Sequence, residues 1–136
     1  MNVSQALNVL KDQGYKLTEK RESMLHIFFR EGRYLSAKEV LEYMQLEYPK
    51  LSFDTVYRNV TLLYDLDILE VTEMKGERLY RMSCAGEDHH HHLICTECGK
   101  TKKIDVCPMH AIFGKPEGFE ITGHKFEIYG LCDGCA

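Results

Sequence analysis

HHHHLICTECGK, residues 89–100, decides how this chain is read. Four histidines run straight into a Cys-x-x-Cys in the interior of the sequence, where an expression tag has no reason to sit. A second pair, Cys132-Asp-Gly-Cys135, closes the chain. Thiolates suit zinc, four of them make a closed tetrahedral site, and each pair fits a tight turn, here followed by Gly99 or containing Gly134. One Cys-x-x-Cys alone resembles a redox pair. Two pairs without a βαβ context point instead to a structural zinc at Cys95, Cys98, Cys132 and Cys135. A segment as short as 84–136 buries too little apolar surface to fold securely without such a staple. Residues 99–131, between the pairs, exceed usual zinc-ribbon spacing and leave room for a strand, a short helix and a return strand.

The histidines carry a separate message. If 89–95 is a strand, its side chains alternate between faces. His89 and His91 then point one way, His90 and His92 the other, so one strand begins two chelates. The bland alternative is a solvated polar edge, but four adjacent copies beside a thiolate knuckle argue against it. Glu70, Cys84, Asp105, Cys107, His110 and His124 are further potential ligands, and spacing alone assigns none of them.

Outward from this stretch, the chain is 136 residues long and suits one ordinary domain or two small ones. With 44% apolar and 28% charged residues it is globular in composition. No apolar run approaches the roughly 18 residues of a membrane span. The start, MNVSQALNVLKDQG, lacks the basic and apolar regions of a signal peptide. The expectation is a cytoplasmic protein whose cysteines are metal ligands rather than disulfides. Formal net charge is −4, and neither the first 83 residues nor the rest is basic overall. A DNA-binding surface would have to be a local patch.

Residues 1–83 read as helices followed by a hairpin. Ala6, Leu7 and Leu10 mark a helix near 4–13, stopped by Gly14. A second starts at the cap Thr18, buries Met24, Leu25 and Phe28, and ends near Gly32. A third opens with the capping box Ser36 to Glu39 and runs through Val40, Leu41 and Met44 to Pro49. The fourth starts at Ser52 and buries the stripe Val56, Val60 and Leu63. That leaves Thr55, Tyr57, Arg58 and Thr61 near its wet side. ILEVTEM and RLYRM (68–74 and 78–82) read as two strands about a Gly turn. Helix, tight turn, helix and hairpin describe a winged helix, whose second helix of the pair enters a DNA major groove. The bland alternative is a helical bundle with an ordinary surface.

DTVYRN (54–59), HHHH before CTEC, and the closing GHKFEIYGLCDGC together resemble the ferric uptake regulator (Fur) family from about residue 4 to the C-terminus. The resemblance implies an α+β fold: a winged helix-turn-helix DNA-binding domain over 1–83, then a small α/β metal-binding dimerisation domain over 84–136. It implies a homodimeric, metal-responsive repressor of AT-rich palindromic operators. The family's iron and peroxide sensors have a histidine where this chain has Tyr34 and a carboxylate where it has Lys103. Its zinc sensors use a cysteine shortly before the histidine run, where Cys84 sits, and a thiolate favours zinc over iron or manganese.

The chain is therefore most similar to the zinc-sensing members. The resemblance implies a regulatory zinc site of Glu70, Cys84, His90 and His92, which would clamp the two domains at one angle. It also implies a second regulatory zinc at His89, His91 and His124, with His110 where the family has a carboxylate. Each chain would thus hold one structural and one or two regulatory zinc ions. Cys107 matches no family ligand and is expected to pack. For DNA, Tyr57, Arg58, Thr55 and Lys16 are the implied contacts.

The rival within the family is an iron or peroxide sensor. A zinc buffer that never touches DNA is countered by the DTVYRN helix. A zinc deaminase would need His-x-Glu and Pro-Cys-x-x-Cys. Neither occurs, so no enzyme, and no small-molecule substrate, is expected.

Overall fold

Side-chain oxygens meet the free N–H groups at the start of all four described helices. The structure is a computed structural model that describes residues 1–84, 91–104, 107 and 116–136. Helix α1 (Val3–Asp12) follows a capping box of Asn2 and Gln5, and α2 (Glu19–Glu31) follows Thr18. Helix α3 (Ala37–Gln45) follows the box of Ser36 and Glu39, and α4 (Phe53–Asp65) follows Ser52. Such caps each contribute about 1 kcal/mol. Helix α2 ends at Gly32, whose φ of 57° is the left-handed conformation that stops a helix.

Three details differ from the sequence reading. The cap of α1 is Asn2, ahead of the expected start. Helix α3 stops at Gln45 rather than reaching Pro49, because Leu46 points into solvent at 84% exposure and leaves no apolar face to continue. A short strand, β1 (Leu35–Ser36), was not expected at all.

Val56, Val60 and Leu63 of α4 are fully buried, as the stripe predicts. They pack with Met24, Leu25 and Phe28 of α2 and Val40 and Met44 of α3 to form one core. Strands β2 (Leu69–Met74) and β3 (Glu77–Met82) cover it as a hairpin, and β1 adds to the far side of β3, giving the order β1-β3-β2. The hairpin turns on Lys75 and Gly76, with φ of 53° and 75°. Two positive φ values define the tight turn whose twist matches that of the strands. Its register sets Glu70 directly opposite Arg81.

Among its described residues the second unit forms a three-stranded sheet. Strand β4 (His91–Cys95) pairs antiparallel with β5 (Thr101–Ile104) and parallel with β6 (Glu127–Gly130), in the order β5-β4-β6. The compact units are Met1–Ala85 and Gly86–Ala136, against the expected division after residue 83. The strand expected over 89–95 begins at His91 among the described residues, so His89 and His90 lie outside them. A short helix was expected between the Cys pairs; of the residues there, 105–106 and 108–115 lie outside the described ones.

Candidate metal centres and recognition helix

Cys95 ends β4, and the chain turns back at once. Gly99, with φ of 78°, donates to the Cys95 carbonyl at 3.0 Å, and the Cys95 N–H donates to the Lys100 carbonyl at 2.8 Å. The C-terminal pair makes a similar turn, with the Cys135 N–H donating to the Cys132 carbonyl at 2.9 Å. The four sulfurs of Cys95, Cys98, Cys132 and Cys135 all lie within 4.8 Å of one another. With Zn–S bonds of about 2.3 Å, a regular tetrahedron has S···S edges of about 3.8 Å. The Cys98 to Cys132 separation is 3.7 Å. The cluster therefore fits a closed tetrathiolate zinc site and leaves no position for a substrate.

The thiols are not equivalent. Backbone N–H groups of Cys132 and Cys98 pull the Cys95 thiol down to about 6, the former donating at 3.4 Å. The neighbouring sulfurs, Cys132 first, push Cys135 up to about 12.

Two of the expected ligands, Glu70 on β2 and Cys84 just after β3, lie side by side. The Cys84 N–H donates to Glu70 Oε1 at 3.2 Å. Arg81 bridges them: its Nη1 lies 3.1 Å from Cys84 Sγ and 3.6 Å from Glu70 Oε2. The same guanidinium lies over the Tyr34 ring at 5.8 Å. Tyr34 thus lies against the guanidinium that meets both Glu70 and Cys84. Sequence reasoning missed Arg81; the hairpin alignment that sets it opposite Glu70 was its available signal. Of the other two expected ligands, His92 is buried on β4 and His90 lies outside the described residues. Lys103 is exposed on β5, opposite His92.

The third cluster departs from expectation. His91 Nε2 and His124 Nε2 are 3.2 Å apart, and Cys107 Sγ lies 3.4 Å from the first and 3.1 Å from the second. Cys107, expected to pack, instead aims its sulfur at two imidazoles; the antiparallel register sets Ile104, the last residue of β5, opposite His91. Phe126 meets His91 edge-on at 5.5 Å. His89 and His110, the other expected members, lie outside the described residues.

On α4, Tyr57 is 43% exposed and stacks on Phe53 at 6.0 Å, while Arg58 extends into solvent with Asp54 at 2.7 Å. Thr55 is held at the cap, its hydroxyl 3.0 Å from Ser52 Oγ. Lys16 is exposed in the turn before α2. Two residues that sequence reasoning missed tie that turn to α4. Arg21 donates to the Lys16 carbonyl at 2.6 Å and to Asn59 Oδ1 at 3.1 Å. The Asn59 amide in turn donates to the Thr55 carbonyl at 2.9 Å. No described helix is long and apolar enough to cross a membrane.

Comparisons with known proteins bear on the family and the fold. The model of the ferric uptake regulator family matches residues 12–129. The ferric uptake regulation protein of Staphylococcus epidermidis is 48% identical over 99% of this chain and 96% of its own length. That of Staphylococcus aureus is 47% identical over 99% and 98%. Among solved structures, the Helicobacter pylori ferric uptake regulator superposes with a TM-score of 0.76 at 23% identity, over 99% of this chain and 94% of that one. A zinc uptake regulator complexed with zinc and DNA gives 0.70 at 22% identity, over 97% and 91%.

Proposed function

The chain belongs to the ferric uptake regulator family, and from that premise we propose that it is a zinc-responsive repressor, binding operator DNA as a zinc-loaded homodimer. Its genes would be those of zinc uptake and homeostasis. The family is one of DNA-binding transcription regulators, not enzymes. The observation that carries the zinc reading is the placing of Cys84 beside Glu70: its backbone N–H donates to the carboxylate, and one Arg81 nitrogen meets both its sulfur and that carboxylate. A thiolate with a carboxylate favours zinc's borderline-soft, tetrahedral chemistry over oxygen-preferring cations. Tyr34 and Lys103, where iron and peroxide sensors carry ligands, add support.

The regulatory ligand set is then Glu70, Cys84, His90 and His92, with a second site around His91 and His124. Cys95, Cys98, Cys132 and Cys135 hold a structural zinc. Zinc at the regulatory set raises operator affinity by favouring the dimer arrangement that fits two half-sites. Tyr57, Arg58, Thr55 and Lys16 are the contacts to an AT-rich palindrome, and their exposure on and beside α4 is consistent with that role. An apolar face on the second unit, where Leu93 and Ile128 pair opposite each other and are 36% and 44% exposed, supports dimerisation there.

The names of the staphylococcal relatives favour iron instead. Operator binding titrated separately with zinc, iron and manganese decides between the readings. Zinc is expected to drive tight binding at the lowest free concentration. Activation by iron and not zinc would make this an iron regulator.

A further inference from the structure

Three atoms in mutual contact pose a problem that hydrogen bonding alone does not solve. His91 Nε2, His124 Nε2 and Cys107 Sγ form a closed triangle with sides of 3.2, 3.4 and 3.1 Å. An imidazole Nε2 has a single in-plane direction, as either one N–H or one lone pair. It serves one neighbour well, yet each Nε2 here faces two. A single cation near the centre satisfies all three lone pairs at once. Zn–N bonds of about 2.0–2.1 Å and Zn–S of about 2.3 Å give tetrahedral edges of about 3.4 Å between nitrogens and about 3.5 Å from nitrogen to sulfur. The observed sides lie within a few tenths of an ångström of these.

We propose that Cys107 is a metal ligand, completing with His91 and His124 a second, thiolate-containing site for a zinc-like divalent cation. The sulfur takes the role that the family resemblance gives to His110. This deepens the metal-responsive reading, but the site lies wholly within the second unit and its metal binding is measurable without DNA. The elements supply it simply: His91 opens β4, Cys107 follows the end of β5, and His124 precedes β6. Phe126 packs edge-on against the His91 ring at 5.5 Å. A thiolate in this position discriminates against manganese and other oxygen-preferring ions. It also gives the site an optical signature that a histidine–carboxylate site lacks.

Cobalt(II) is the probe. In a full-length Cys84→Ser background, which removes the other regulatory thiolate, zinc is first stripped from all but the tetrathiolate site and its retention checked by elemental analysis. Cobalt titration should then fill one equivalent per chain with a thiolate-to-cobalt charge-transfer band in the near ultraviolet. Adding Cys107→Ser should abolish that band and weaken cobalt binding by tenfold or more, in a protein whose circular dichroism is unchanged. Cys107→Asp should restore binding without the band. His110→Ala should leave both band and stoichiometry intact. A band that persists in Cys107→Ser, or one that is never seen in the Cys84→Ser protein, overturns the assignment. So does cobalt binding lost in His110→Ala and kept in Cys107→Ser. Zinc-dependent operator binding in the wild-type protein reports on the broader reading by itself.

Discussion

The backbone N–H of Cys84 donates to the carboxylate of Glu70 at 3.2 Å, which places the cysteine beside the carboxylate. Cys84→Ser keeps this backbone bond but exchanges sulfur for a poor zinc ligand. Operator binding should lose its zinc dependence while the protein stays folded and keeps the tetrathiolate zinc. Gel shifts with and without added zinc, alongside zinc counted per chain, check both halves.

Arg81 competes for the same two ligands. Its contacts with Glu70 and Cys84 must break when a metal binds there. Partly exposed pairs of this kind are worth about 0.5–1 kcal/mol. Arg81→Met, which keeps the apolar stem, should therefore tighten zinc binding at this site roughly two- to fivefold by competition titration. Weaker binding would mean that the guanidinium organises the ligands rather than opposing the metal.

The tetrathiolate cluster should matter to folding. Structural zinc contributes on the order of 10 kcal/mol or more, and the second unit has only three short described strands to rely on. Cys95→Ser should abolish cooperative unfolding of that unit and the dimer with it. Thermal denaturation and analytical ultracentrifugation measure these losses. A zinc-free, folded, dimeric Cys95→Ser protein would contradict a structural role.

Tyr57 and Arg58 lie off the buried stripe of α4, so alanine at either should spare stability and metal content. Loss of a good base contact costs about 1–3 kcal/mol. Each variant should bind operator roughly 5- to 150-fold more weakly by fluorescence anisotropy, that energy converted to an equilibrium constant. Arg21→Ala, which releases the Lys16 turn from Asn59, should weaken binding less. Unchanged affinity in both α4 variants would move recognition to another element.

Stability should carry an acid-sensitive contribution from Glu31. The Tyr43 hydroxyl, donating at 2.7 Å, and the neighbouring Arg30 and Arg33 hold this carboxyl below its ordinary value of 4.5. A depressed folded value means that the contribution is complete above 4.5 and disappears as pH falls through the folded one. Glu31→Gln should be less stable than wild type by about 1 kcal/mol at pH 7. The gap in urea midpoints should close in acid.

What the sequence by itself determined here is local. Caps at Thr18, Ser36 and Ser52, the Val56–Val60–Leu63 stripe and the Lys75-Gly76 turn follow from periods of two to four residues, and each emerges where those periods put it. The Cys-x-x-Cys pairs are equally local, since each thiol pair is fixed by a single turn. Tertiary structure alone decided which distant groups meet. Hairpin register brought Arg81 across to Glu70, and Arg21 reached α4 only once α2 had packed against it. The parallel pairing of β4 with β6 brought the chain around His124 back to His91, the pairing of β5 with β4 set Ile104 opposite His91, and Cys107 meets both imidazoles. Sequence spacing carries no trace of such meetings, because chain closure over tens of residues is set by strand pairing and shared burial rather than by the geometry of a single turn.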